Sequence, residues 1–469
     1  RFSARSAIQC SRGWGLGAGL GSRPPLLLLL ALLVAASSFA NDPDGTTPLH
    51  YAVRNQNTVV VRQLLAQHAA VDAANRYGVT PLTLAVEQGN LDIVNALLAA
   101  GANVNHALPE GETALMTAAR TGNVAVLQTL LRKDARVETR DGFYGETALI
   151  WAAASDQAPA VRTLLDSGAD VNARSASAKF ARRNAGLTRL SLGEWTPLMY
   201  TARDGAMSAG AVLIERGALV NAVDPDGTTA LVLAIINYHY DFAAMLLEHG
   251  ADPNLADTTG MGALYAAVDM SSLPWMFGRP EIPAASKVTA LQLVEMLLKH
   301  GAKPNAALTA VQFQRAHTDG DTALGVGATA FLRAAKAADV PVMKVLLANG
   351  ADAKAAMANG NNALLLAAGL GYRDGNMAVP TKDRGTPQEV MAAIQVCLDS
   401  GLKINAPGSN GDTALHHAVT TRGELDVVKY LVEHGADLMV KNTRGQTAVE
   451  AAKASRKDRS DIVKYFAER

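Results

Sequence analysis

The chain is poor in the residues that most often carry chemistry. Cys10 and Cys397 are its two cysteines in 469 residues, which excludes a disulfide scaffold and any cysteine-based zinc site. Lys and Arg together number 43, as do Asp and Glu, so no net field gathers nucleic acid or an anionic membrane, and a dedicated DNA-binding protein is excluded. The apolar run from Leu26 to Ala36 has eleven residues, against the roughly twenty that a helix needs to cross a bilayer, so no stable membrane anchor is expected. The ten histidines show no H-E-x-x-H spacing, and neither G-x-S-x-G nor G-x-x-x-x-G-K-[ST] occurs. No catalytic residue, metal ligand or cofactor is therefore expected. The material that is present is 49% apolar, with only 5% aromatic and much Ala, Leu and Gly, a composition suited to many short helices packed closely.

Residues 1–40 differ from the rest. They hold Arg1, Arg5, Arg12 and Arg23 and no acid, then the Leu26–Ala36 run, then Ser38-Phe39-Ala40. This order reads as a secretory signal peptide with cleavage after Ala40. Without those four arginines the chain carries 43 acids against 39 bases, a mildly acidic net −4.

From residue 42 onward one pattern recurs. Thr47-Pro48-Leu49-His50-Tyr51-Ala52 returns as Thr80-Pro81-Leu82-Thr83-Leu84-Ala85 and as Thr113-Ala114-Leu115-Met116-Thr117-Ala118. A later Leu-Leu pair and a Gly-Ala-Asp or Gly-Ala-Asn follow, as at Leu97-Leu98 and Gly101-Ala102-Asn103. The anchor positions Leu49, Leu82, Leu115, Leu149, Leu198, Leu231, Leu264, Phe331, Leu364, Leu415 and Val449 are spaced by 33, 33, 34, 49, 33, 33, 67, 33, 51 and 34. Thr-Pro suits the start of a short helix, Ile93, Val94, Leu97 and Leu98 fall on one face of a second, and Gly101 suits its end. One such unit cannot bury its own apolar face, so units must stack. The pattern resembles the ankyrin repeat, with its period of about 33 residues and its T-P-L-H-x-A signature. The resemblance covers residues 42–469 and implies an all-α repeat fold, an ankyrin solenoid of about eleven helix-turn-helix-β-hairpin units. The wider spacings place insertions at about 175–190 and 307–326, in hairpin fingers, and at about 270–287 and 370–388, between the two helices of a repeat. The chain thus divides into a signal peptide, 1–40, and a repeat domain, 41–469.

The resemblance also implies a protein partner, held on the concave face by the finger tips and by the residues five and six places after each anchor. The tips carry Arg76, Tyr77, Phe143 and Tyr144, and Trp195 follows at the next finger; Ile236 stands where other repeats place polar residues. Tyr, Trp and Arg are enriched at binding hot spots. The 175–190 insertion adds Lys179, Arg182 and Arg183 without an acid, a positive tip on an acidic body. Phe143, Tyr144 and Trp195 are expected to form one patch, since neighbouring fingers stack about 10 Å apart. The expected function is a monomeric, non-enzymatic scaffold. A signal peptide on an ankyrin array resembles the exported ankyrin proteins of Gram-negative bacteria, implying a secreted or periplasmic location. The alternative is an envelope protein that stacks a carbohydrate or other small ligand on those same three rings.

Overall fold

The computed structural model describes residues 42–177, 193–272, 286–311, 323–370 and 385–469. These residues form eleven helix pairs, from Pro48–Arg54 with Thr58–Ala66 to Ala448–Lys453 with Ser460–Ala467. We number the pairs as repeats 1 to 11, and call the first helix of each the inner helix and the second the outer helix.

Local chemistry sets each boundary. The Thr before an inner helix accepts the N–H three residues on, that of His50 for Thr47, Thr83 for Thr80 and Met116 for Thr113. Asn57, Asn90 and Asn123 cap the outer helices of repeats 1 to 3 in the same way. After an outer helix the chain needs a left-handed residue. Gly101 takes it at φ +89° although nothing lies within 4 Å of a Cβ built there, so backbone conformation and not space demands glycine. Where that glycine is missing, His68 and Asp134 adopt the positive φ themselves.

Packing runs along the chain. Each inner helix touches its own outer helix and the inner helices before and after it, and outer helices likewise pack on their neighbours, most sparsely where Met207–Glu215 of repeat 5 meets Tyr240–Glu248 of repeat 6. The result is one continuous apolar cluster, from Leu49 to Phe466, in which Ala85, Ala118, Ala152 and Ala202 are buried where inner helices approach closely. Turns are tied too: Asn221 accepts the Asp252 N–H at 2.8 Å and donates to the Gly250 carbonyl at 3.1 Å, one repeat on.

Isolated antiparallel bridges close the fingers, for example Ala107 with Thr113 and Val223 with Thr229. Ser177 and Gly193 pair in the same way, so the chain leaves and re-enters one finger there; Ala307 and Thr329 do so at another. In this second finger Leu308 and Leu324 are buried in the core, so its base is apolar. The inner helix of repeat 7 runs from Ala263 through Ser272, past the start of the insertion expected at 270, and Met270 is buried. The inner helix of repeat 10, Ala414–His417, continues as a π-helical turn over Ala418–Arg422, where the Gly423 N–H reaches back five residues to the Ala418 carbonyl at 2.7 Å. Among the described residues no helix is long and apolar enough to cross a membrane.

Candidate protein-binding surface

The most exposed aromatic residues sit on the fingers of repeats 2 and 4. Asp141 builds the second of these. Its Oδ1 accepts the N–H groups of Phe143, Tyr144 and Gly145 at 3.0, 2.8 and 2.9 Å, and its Oδ2 accepts the indole N–H of Trp151 at 3.1 Å. The carboxylate is itself buried. With both oxygens in use, the loop is fixed, and Phe143 and Tyr144 project at 69% and 53% exposure with their rings edge-on, 4.7 Å between centroids. The Tyr144 carbonyl accepts the Ala176 N–H of the next finger at 2.7 Å, which holds the tip against its neighbour. Gly145 completes the loop at φ +63°, and a Cβ there would stand 2.8 Å from the Ala176 nitrogen. In the earlier finger, Asn75 Oδ1 accepts the N–H groups of Tyr77 and Val79 at 3.0 and 3.1 Å. Tyr77 is 55% exposed, Arg76 donates to its hydroxyl, and the guanidinium lies 4.7 Å from its ring centroid.

Trp195 does not join this surface. It is half-buried, donating its indole N–H to Asp224 Oδ2 at 3.1 Å, with its ring 5.5 Å from that of Tyr200 and with Arg203 5.5 Å above it. The reason is its place just before the capping Thr196: a residue there leans back on the inner helix Pro197–Asp204 and away from the tip. Phe143 with Tyr144 and Trp195 with Tyr200 therefore form two separate pairs, and among the described residues no ring contact joins Trp195 to Phe143 or Tyr144. The stacking platform expected for a carbohydrate is not assembled.

Ile236 is a second correction. It is 5% exposed and belongs to the continuous core, like every residue of its helix Ala230–Ile236. An apolar residue at that place is core material, and the equivalent Arg54, Glu87 and Arg120 of repeats 1 to 3 are the ones left in solvent. Lys179, Arg182 and Arg183 lie outside the described residues.

Several residues with clear roles escape a reading of the sequence alone. Asp141 and Asp224 each join a Trp indole to a finger loop, and the signal for this was the Asp before each tip. Trp151 lies beneath Arg120, 5.7 Å from ring centroid to guanidinium, and Tyr200 beneath Arg203 at 4.9 Å, so guanidinium-on-ring stacking covers the inner face from repeat 3 to repeat 5. Burial raises the pKa of the Tyr200 phenol, which lies close to Glu146 and Ser175. From repeat 6 to repeat 8 the corresponding face is buried, and it holds an ion pair, Arg333 Nε to Asp269 Oδ1 at 2.6 Å, with both side chains almost wholly covered. Arg333 stands in the middle of a helix that is apolar up to Lys336 at its end, which was its one sequence cue.

Several histidines have structural partners. His50 and His416 link Thr47 and Thr413 through Nδ1 to the carbonyls of Val79 and Gln446 through Nε2. His249 and His434 contact the Met245 and Tyr430 carbonyls at the ends of their helices. Burial pushes the Cys397 thiol up to about 12, which keeps it protonated and unreactive. An open groove of about 680 Å³ lies between the outer helices of repeats 3 and 4, lined by residues such as Gln128, Arg132, Thr163 and Asp166. Among the described residues no three metal-ligating side chains converge.

Comparison with known proteins fits this architecture. A family model described as "Ankyrin repeats (3 copies)" matches residues 24–108, 100–175, 179–257 and 388–469. The stretch between 257 and 388 contains the same helix pairs, such as Ala330–Lys336 with Val340–Ala348. The chain is 35% identical over 83 residues to the Notch-regulated ankyrin repeat-containing protein of Homo sapiens, a match covering 18% of this chain and 70% of that one. It is 37% identical over 79 residues to the BRCA1-associated RING domain protein 1 of Caenorhabditis elegans, covering 17% of this chain and only 11% of that protein. With the family model matching more than half its length and the helix pairs stacked throughout, the chain belongs to the ankyrin repeat family.

Proposed function

We propose that this protein is a non-enzymatic scaffold that captures a protein partner on the fingers of repeats 2 and 4, and that it acts outside the cytoplasm. Ankyrin repeats generally mediate protein–protein interaction. The observation that supports this reading is the Asp141 clamp, which holds the loop presenting Phe143 and Tyr144 with one carboxylate oxygen and ties it to the Trp151 indole with the other. Rings fixed before binding lose little entropy on contact, which is how aromatic anchors come to dominate an interface. Tyr77, Arg76 and the exposed Arg54 and Arg120 supply a polar, positive surround. Export is supported by the four arginines, the Leu26–Ala36 run and Ser38-Phe39-Ala40, with the exported protein beginning at Asn41.

The test is capture of a partner from an envelope extract by immobilised protein, identified by mass spectrometry. Phe143→Ala with Tyr144→Ala should remove the captured partner and leave the melting temperature unchanged, while Met439→Ala, at a residue 74% exposed on repeat 10, should change neither. Undiminished capture by the double variant would move the site elsewhere on the array.

A further inference from the structure

Repeat 1 has an open face. In repeats 2 to 4 the third and seventh residues after the outer-helix cap are fully buried: Ile93 and Leu97, Val126 and Leu130, Ala160 and Leu164. Their counterparts in repeat 1, Val60 and Leu64, are only half-buried, and Val59 beside them is 65% exposed. An outer helix buries this side of itself against the outer helix before it, and among the described residues none precedes Thr58–Ala66.

The chain before repeat 1 nonetheless keeps the repeat's register. The described residues open on a finger: the Gly45 N–H donates to the Asp42 carbonyl at 2.7 Å, as Gly78 does to Asn75 at 2.8 Å one repeat on, and the Arg76 N–H joins the two fingers by donating to the Asp44 carbonyl at 2.7 Å. In every later repeat an outer helix precedes the finger. Thr58–Ala66 lies 22 to 14 residues before the capping Thr80, and Leu91–Ala99 the same distance before Thr113. Counted back from Thr47, that distance falls on residues 25–33, Pro-Leu-Leu-Leu-Leu-Leu-Ala-Leu-Leu. Pro25 then corresponds to the first helical position, where proline is tolerated, and Leu27, Leu28, Ala31 and Leu32 correspond to the four core positions that Ile93, Val94, Leu97 and Leu98 fill. The family match, too, begins at residue 24.

We propose that in the uncleaved chain residues 25–33 form the outer helix of an incomplete first unit and cover the open face of repeat 1, with Leu28 and Leu32 against Val60 and Leu64. Val61 is fully buried although no outer helix precedes it, so its position packs forward, and Leu28 is the residue at that position. Phe39 stands where Asp72 accepts the Asn103 N–H at 2.8 Å in the next turn but one, so apolar contact and no side-chain link holds this unit. Cleavage after Ala40 releases it and uncovers Val59, Val60 and Leu64. A folded array thus hides its own leader, and the proposed export has to engage the chain before repeat 1 has folded.

Hydrogen exchange on the uncleaved full chain tests docking separately from export. Amides of Thr58–Ala66 should exchange about tenfold more slowly in the wild type than in Leu28→Ser with Leu32→Ser, the weight of covering the open halves of two aliphatic side chains. Leu29→Ser with Leu33→Ser takes as much apolar surface from the leader, at positions that correspond to the exposed Arg62 and Ala66, and should leave exchange as in the wild type. Unchanged exchange in the first pair, or equal acceleration by both pairs, would overturn the docking. Protection that rises with protein concentration would also overturn it, by putting a second copy on this face. An export defect in either pair bears on the export reading alone.

Discussion

Replacing Asp141 separates the two jobs of its carboxylate. In Asp141→Ala four donors lose their acceptor. The N–H groups of Phe143 and Tyr144 sit at an exposed tip and can turn to water, so their loss is small, whereas the Gly145 N–H and the Trp151 indole are covered. Leaving a covered donor unpaired costs about 1–3 kcal/mol, so the Ala variant should lose about 3–5 kcal/mol. Asp141→Asn keeps an oxygen toward the three loop N–H groups but turns an NH2 toward the Trp151 N–H. It should lose only that charge-assisted bond, about 1.5–3 kcal/mol. Urea unfolding followed by far-UV circular dichroism gives both numbers, and tryptophan emission reports the freed indole. An Asn variant as stable as wild type, or an Ala variant no weaker than Asn, would refute the assignment of one oxygen to the loop and one to the indole.

Two further outcomes are expected. His417 is buried, and desolvation holds its imidazole down at about 4 against an ordinary 6.5, so the folded state prefers it neutral. The unfolded chain takes up the proton first as pH falls, hence stability is full above about 6.5 and declines toward pH 4 by up to about 3 kcal/mol. His417→Leu should lose that slope; melting temperatures of both proteins between pH 4 and 7 decide, and identical slopes would count against it. Leu231→Ala, at a residue 1% exposed with repeats packed on both sides, should cost about 2–5 kcal/mol in urea unfolding. A cost below 1 kcal/mol would mean that repeat 6 is not held as described.

The repeat was legible because its signals are local. Thr caps, the apolar anchor and the glycine after the outer helix each depend on a few neighbouring residues, so they recur in the text of the sequence wherever they recur in space. The site was legible only in part. Phe143 and Tyr144 lie at a tip, where exposure follows from the turn alone. Trp195 and Ile236 were misplaced because their surroundings are made by other repeats: Asp224 lies one finger on from Trp195, and the core around Ile236 is shared with both neighbours. Equal spacings also concealed unequal structures. Two steps of 34 residues each carry one extra residue; between Leu115 and Leu149 it lengthens the finger, while between Leu415 and Val449 it is wound into the π turn over Ala418–Arg422.

The extra residue in the first of these fingers reaches beyond this molecule's own stability. Four positions separate Asp141 from Gly145, where three separate Asn75 from Gly78 and Asp224 from Gly227, yet the helices on either side keep their stacking. A residue can therefore be added at the tip without any compensating change in the core, because the Asp at one end and the left-handed glycine at the other close the loop at either length. Such a tip can gain, lose or exchange rings over generations while the buried leucines stay under constant constraint. With the partner held at the tips as proposed, recognition and folding are written in separable parts of the chain, and a lineage can revise the first without renegotiating the second.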